Sequence, residues 1–354
     1  MPSASFKKAG LLALTITFFL LAGWEFYLRH RYFQGDNNIS APFDDNEALW
    51  AYTRGQVYEP SDQATVFIGS SRIKYDLDIP TWKAITGNHA VQLANVGSSP
   101  RPVLEDLAND PHFKGRLIID VTEGLFFSEN NTYDGSTNKK IAYFKNLNPT
   151  QRFSFQVNRI LESQFVFLDQ DNFSLNAMLD NAHLLGYREG VFPGVFFPRG
   201  FEQVSFERQS YMTADFVADT NQQVIVRNIW ARSIARAKKG PPPVSGSALD
   251  SVLYSVKNLV DKIKARGGQV IFVRTPSSGP LREVEVHAFP RTAYWDKLIA
   301  VTGCPGIYFE DYPAIAHLIC PEWSHLKPAD DVIYTKTLIA ALEEKGWLFN
   351  KAPR

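Results

Sequence analysis

The chain has 354 residues, 45% hydrophobic and 21% charged, the balance of a globular protein with room for a sizeable core. Its 37 Lys and Arg offset 37 Asp and Glu, so no net charge points to nucleic acid and that partner class is set aside. The two cysteines stand in no Cys-x-x-Cys or Cys/His zinc spacing, and neither a metal nor a cofactor is expected.

Lys7 and Lys8 precede an apolar run over residues 9–28, broken only by Thr15, Thr17 and Glu25 and followed by Arg29, His30 and Arg31. About 20 such residues match a bilayer core of roughly 30 Å. Trp24 and Tyr27 sit where interfacial aromatics gather. A cleaved signal peptide is the alternative, but Leu21, Ala22 and Gly23 make a weak cleavage site. The expectation is a single-pass membrane protein with a cytoplasmic tail and anchor over 1–31. Its C-terminal part is then extracytoplasmic, or periplasmic. Residues 32–43 are polar and turn-rich and read as a stalk.

Beyond the stalk, strands alternate with helices. Short apolar runs over 65–68, 91–96, 116–121, 269–274 and 306–310 suit a parallel sheet covered on both faces. Leu249, Val252, Leu253, Val256, Val260 and Ile263 form one stripe of a helix that Gly267 and Gly268 end. Pro328 opens a last helix that buries Val332, Thr335, Leu338, Ile339 and Leu342, and Gly346 stops it. This predicts an α/β three-layer sandwich over 44–350 around a central, mainly parallel five-stranded sheet. Residues 124–245 are far longer than a crossover needs and read as a largely helical insertion, with helices near 149–165 and 213–237. A Phe/Pro/Gly-rich stretch over 191–201 is either a lid wall or a satellite core under a long loop. Cys304 and Cys320 either close a short loop or remain two buried thiols.

The first strand stops at Gly69, Ser70, Ser71 and Arg72. In an open α/β sheet ligands collect at the carboxyl ends of the strands, and a glycine there permits a sharp turn. Taken alone, these serines are as readily helix caps. Downstream, Glu322 precedes His325 by three residues at the mouth of the last helix, a spacing that also occurs in plain surface pairs. Together the two segments supply a nucleophile, a base and a group to orient the base, which is the equipment of acyl transfer. Arg72 and Arg274 are candidate substrate-binding residues; otherwise each pairs with a structural carboxylate.

These motifs resemble the SGNH superfamily of GDSL-type esterases and acyltransferases. The resemblance covers the five-strand scaffold, of SGNH or flavodoxin-like form, but not residues 1–43 or most of 124–245. It implies Ser71 as nucleophile, with Ser70 in place of the usual aspartate. It implies Gly97, after Asn95 and Val96, as an oxyanion N–H donor beside Ser71, and Glu322 and His325 as the closing pair with glutamate for aspartate. The third block departs: Asp120, Val121, Thr122, Glu123 and Gly124 hold no oxyanion asparagine. Glu123 would repel an oxyanion; either Thr122 is the substitute donor or Glu123 binds a nucleophilic alcohol, and loss of one donor costs ~10²–10³ in rate. Anchored members with a Gly-Ser-Ser turn look most like envelope proteins of alginate O-acetylation and teichoic-acid D-alanylation. The resemblance therefore implies an acyltransferase or esterase acting on an acyl ester of a carbohydrate polymer of the cell envelope, beside a membrane-bound acyl donor protein. The alternative is a catalytically degenerate binding or scaffold subunit of the same kind of complex.

Overall fold

The computed structural model describes residues 4–32, 43–128, 135–169, 173, 197–198 and 200–347. Residues 33–42 of the expected stalk, and 191–196 and 199 of the Phe/Pro/Gly stretch, lie outside the described residues. The chain divides into two compact units, Met1–Asp44 with Pro149–Pro193, and Asp45–Asn148 with Gly194–Arg354. The segment read as one insertion is thus shared between them.

In chain order the helices are α1 (Ala4–Tyr32), α2 (Glu47–Gly55), α3 (Ser71–Asp76), α4 (Ile79–Thr86), α5 (Arg101–Asn109), α6 (Glu123–Phe126) and α7 (Gly135–Lys145). They continue as α8 (Pro149–Glu162), α9 (Ala214–Ala218), α10 (Thr220–Ala237), α11 (Gly246–Ala265), α12 (Gly279–Ala288), α13 (Trp295–Thr302) and α14 (Pro328–Glu344). In the first unit, α1 is long and apolar enough to cross a membrane.

The second unit is built on a five-stranded, all-parallel sheet: β1 (Ala64–Ile68), β2 (His89–Gln92), β3 (Arg116–Asp120), β6 (Gln269–Arg274) and β7 (Gly306–Tyr308). A separate antiparallel ribbon joins β4 (Gln203–Val204) to β5 (Ser210–Tyr211). The strand order is β2-β1-β3-β6-β7, with Val66 opposite Val91 and Leu117, and Ile118 opposite Ile271. Every residue of β1 is buried, as are Leu117–Asp120 and Val270–Arg274. Two covered faces explain why these runs are apolar throughout instead of alternating.

The order also places the site. From β1 the chain steps outward to β2, then returns past β1 to β3 and continues in that direction to β6 and β7. Right-handed crossovers that reverse direction put their helices on opposite faces. Accordingly α14 packs on α3 and α4, whereas α11 packs on α5 and α13. The reversal leaves a crevice at the carboxyl ends of β1 and β3, where open α/β sheets bind ligands. Gly69–Arg72 follows β1 and Val121–Glu123 follows β3.

Several boundaries differ from the sequence reading. The second strand begins at His89 and ends at Gln92, although the Leu93 and Asn95 N–H groups still donate to Phe67 O (2.8 Å) and Gly69 O (3.2 Å). The expected helix at 213–237 is two helices, because Asp219 takes extended dihedrals and caps Asn221 N. Cys304 and Cys320 are free, buried thiols. Their backbone N–H groups are held separately, by Thr302 Oγ1 at 3.4 Å and Ser278 Oγ at 3.0 Å.

Gly69 admits no side chain. A Cβ there would lie 2.5 Å from Ile73 Cγ2 and 2.7 Å from Asp120 Cβ, so α3 and the end of β3 can approach the turn only because it is glycine. Gly69→Ala is expected to destabilise the protein by about 1–3 kcal/mol through overpacking. A lowered urea midpoint with an unchanged m-value checks this; an unchanged midpoint would show that the crevice has slack.

Candidate active site

Ser71 is the first residue of α3, and Ser70 caps it by accepting from Arg72 N at 3.3 Å. The cap reading of Gly-Ser-Ser is therefore right for Ser70, while Ser71 is left to do something else. Its hydroxyl lies 2.8 Å from His325 Nε2. His325 Nδ1 lies 3.0 Å from Glu322 Oε1. With Nδ1–H donated to that carboxylate, Nε2 is the ring's acceptor and the Ser71 O–H is its donor.

The loop holding this pair is shaped by Glu322. Its Oε1 also accepts from the backbone N–H groups of Ser324 (3.1 Å) and His325 (2.6 Å), which folds the chain back on its own carboxylate. Trp323 between them takes φ 82°, the left-handed region that costs a non-glycine residue of order 1–3 kcal/mol. The loop is fixed from outside as well. Asp76 Oδ1 accepts from Leu326 N at 3.0 Å, and Trp323 O accepts from Ser278 N at 2.9 Å.

A third support comes from α10, within the segment read as an insertion. Trp230 Nε1 donates to Glu322 Oε2, and Arg227 Nε donates to Pro321 O at 2.8 Å. Glu322 is fully buried and so has donors on both oxygens, as a buried carboxylate requires. Aromatic rings close around the imidazole. Tyr75 stacks on it at 4.3 Å and 28°, and Phe201 meets it at 5.8 Å and 61°. Burial, with Glu202 and Glu322 adding to it, pushes the Tyr75 phenol well above its ordinary pKa, so the stacked ring stays neutral. Partly exposed Phe197 stacks on Phe201 at 4.8 Å and continues this wall.

The remaining predicted residues divide. Gly97 lies exposed in the turn after β2 with φ 64°, a conformation that suits glycine, and the Asn95 N–H, donating to Gly69 O, ties that turn to the one that carries Ser71. Thr122 Oγ1 lies 2.6 Å from Ser70 Oγ and donates to Asp120 Oδ2 at 3.3 Å, so its proton already has an acceptor. Arg72 is buried and donates to Glu285 and, at 3.5 Å, to Ser324 Oγ. Arg274 is buried as well. It grips Glu123 through Nε (3.0 Å) and Nη2 (3.1 Å) and also donates to Glu285, Ser277 Oγ and Thr275 O. Both guanidiniums thus hold structural carboxylates, the second of the two readings the sequence left open. Glu123 is neutralised by Arg274 beside the crevice, which removes the repulsion its position suggested. Burial alone would raise Glu285, but Arg72 and Arg274 outweigh it and hold its carboxyl at about 2.

Phe201 belongs to the aromatic stretch over 191–201 that the sequence marks, whereas nothing in the sequence singles out Trp230, Arg227, Tyr75, Asp76 or Glu285. Their partners lie in other elements, and no local spacing marks such pairs. No family model matches the chain, and no curated protein aligns with it.

Beneath the site, the carboxylate of Asp331 is buried and neither oxygen accepts a hydrogen bond. Burial, then the charges of Asp76, Asp78 and Asp330, push its pKa well above the ordinary carboxylate value. A carboxyl raised on folding contributes stability that is complete below about pH 4 and drains away as pH rises past the unfolded value. Asp331→Asn is therefore expected to raise stability by about 1–2 kcal/mol at pH 7 and by almost nothing at pH 4. Urea denaturation at the two pH values measures this, and an equal effect at both would place the carboxyl in its ordinary range.

Proposed function

We propose that this chain is a membrane-anchored serine acyltransferase or esterase of the SGNH kind, acting on an acyl ester of a cell-envelope polysaccharide. The observation that carries the reading is the hydrogen-bonded line from Ser71 Oγ through the His325 ring to Glu322, at 2.8 and 3.0 Å. Those distances match what a nucleophile, its base and an orienting acid require. The all-parallel sheet and the position of Ser71 at the reversal point support the superfamily resemblance.

In this mechanism Ser71 Oγ attacks the ester carbonyl carbon while His325 Nε2 takes its proton. Glu322 holds the ring in the tautomer that accepts there and stabilises the imidazolium. The oxyanion is met by the N–H groups of Ser71 and Gly97. The leaving alkoxide takes the proton from His325 and departs, which leaves an acyl-Ser71 ester. An acceptor alcohol then gives its proton to His325 and attacks the acyl carbonyl; its product ester leaves as Ser71 regains the proton.

The Thr122 hydroxyl donates its hydrogen bond to Asp120 and keeps its proton, so in this arrangement that side chain is not free to serve as the usual third donor. The expected consequence is slow acyl chemistry with either water or a polymer alcohol as acceptor, the acyl group being supplied by a membrane-bound acyl donor partner. With α1 as an anchor and Lys7 and Lys8 on the cytoplasmic side, the α/β unit works outside the membrane.

Ser71→Ala should abolish covalent labelling by a fluorophosphonate, and His325→Ala should slow it by roughly 10³-fold or more. Trp230→Phe keeps the ring but removes the donor to Glu322, and labelling should slow about tenfold or more with a small change in melting temperature. Equal labelling of wild type and Ser71→Ala would leave the binding-subunit reading in its place. Release of free acid measured with and without acceptor alcohols separates transfer from hydrolysis; transfer requires acyl ester to form at the expense of acid.

A further inference from the structure

The first unit carries an apolar surface that nothing above uses. Helix α8 exposes Phe153, Val157, Ile160 and Leu161, at steps that place them on one face, and Phe165 follows just beyond its end. Phe153 is 70% exposed and Ile160 59%, and α8 has no buried residue. Four large apolar side chains in one stripe, with Phe165 exposed just beyond it, are more than the scattered exposure of a soluble surface. Arg152 and Arg159 lie on the other side of the helix.

The chain that follows α8 is fastened to the end of α1. Glu25 Oε1 and Oε2 accept from Val166 N and Phe167 N, each at 3.1 Å. Arg29 Nε donates to Glu25 at 2.6 Å, and Arg29 Nη2 donates to Gln164 O at 2.6 Å. Leu28, Val166 and Phe173 form a small buried core with Trp24 and Phe167 against it. These contacts sit where the apolar run of α1 gives way to Arg29, His30 and Arg31, the point at which a spanning helix reaches the headgroups. A carboxylate at that depth needs partners, and here the 163–168 segment supplies them.

We infer that α8 is an interfacial membrane helix, with its Phe153/Val157/Ile160/Leu161 face in the headgroup–acyl boundary of the bilayer that α1 spans. The inference rests on the reading of α1 as an anchor. Two features select lipid as the occupant. The segment that directly follows the stripe is fastened to α1 at headgroup level, and Arg152 on the polar side suits anionic lipid.

The full chain is placed one copy per nanodisc of phosphatidylethanolamine and phosphatidylglycerol. Leu14→Cys, Ile160→Cys and Asn158→Cys are each labelled with an environment-sensitive fluorophore; the unsubstituted chain, whose two thiols are buried, sets the background. Lipids spin-labelled deep in the acyl chain should quench the Leu14 probe. Lipids labelled near the headgroup should quench the Ile160 probe at least about twofold and leave the Asn158 probe nearly unquenched. Quenching at Leu14 with equal, weak quenching at Ile160 and Asn158 overturns the interfacial helix and leaves the anchor standing. A blue-shifted but unquenched Ile160 probe means protein covers the stripe, which also overturns the inference. No quenching at Leu14 overturns the anchor reading itself.

Discussion

Glu322 has no solvent exposure, and its two oxygens accept from Ser324 N, His325 N, His325 Nδ1 and Trp230 Nε1. A carboxylate removed from water must be given donors, and here each donor it takes fixes part of the site. The two backbone bonds force the tight loop and the unusual dihedrals of Trp323. The ring bond sets which imidazole nitrogen faces Ser71. The indole bond makes α10 part of the arrangement. An aspartate at 322 would be shorter by one methylene and would have to meet the same four donors from a different place.

Below that line lies a second layer of charge. Arg72, Glu285, Arg274 and Glu123 form a continuous buried chain of ion pairs between α3, α12, β6 and α6. Pairs of this kind contribute little to net stability compared with an apolar core, but they dictate geometry because a mismatched partner would leave a charge buried alone. Arg72 adjoins Ser71 and reaches Ser324 and Glu285, so the Ser71 turn and the His325 loop are referenced to one scaffold.

Much of this was legible in the sequence, and for definite reasons. Doubly buried strands leave unbroken apolar runs, so β1, β3 and β6 were readable within a residue. Glu322 and His325 interact locally, so their spacing reveals them. Ser71 was readable because Gly69 marks a turn with no space for a side chain. The supports were not. Trp230 reaches Glu322 from a helix 92 residues away, and Arg274 meets Glu123 across 151. Long-range polar pairing leaves no periodic trace, so the sequence left Arg72 and Arg274 open between ligand binding and internal carboxylates, and Glu285 and Glu123 could not be read as their partners. The break at Asp219 was hidden too, since apolar residues continue on both sides of it and only the extended dihedrals of that one residue end the first helix, while its side chain caps the second.

Ser71 and His325 stand 254 positions apart along the polypeptide. A nascent chain that has emerged only through β6 therefore holds the alcohol without the imidazole, the acid or the loop that carries both. The serine and the imidazole can meet only once residues 322–325 have emerged and the folded sheet has brought the two ends of the chain together.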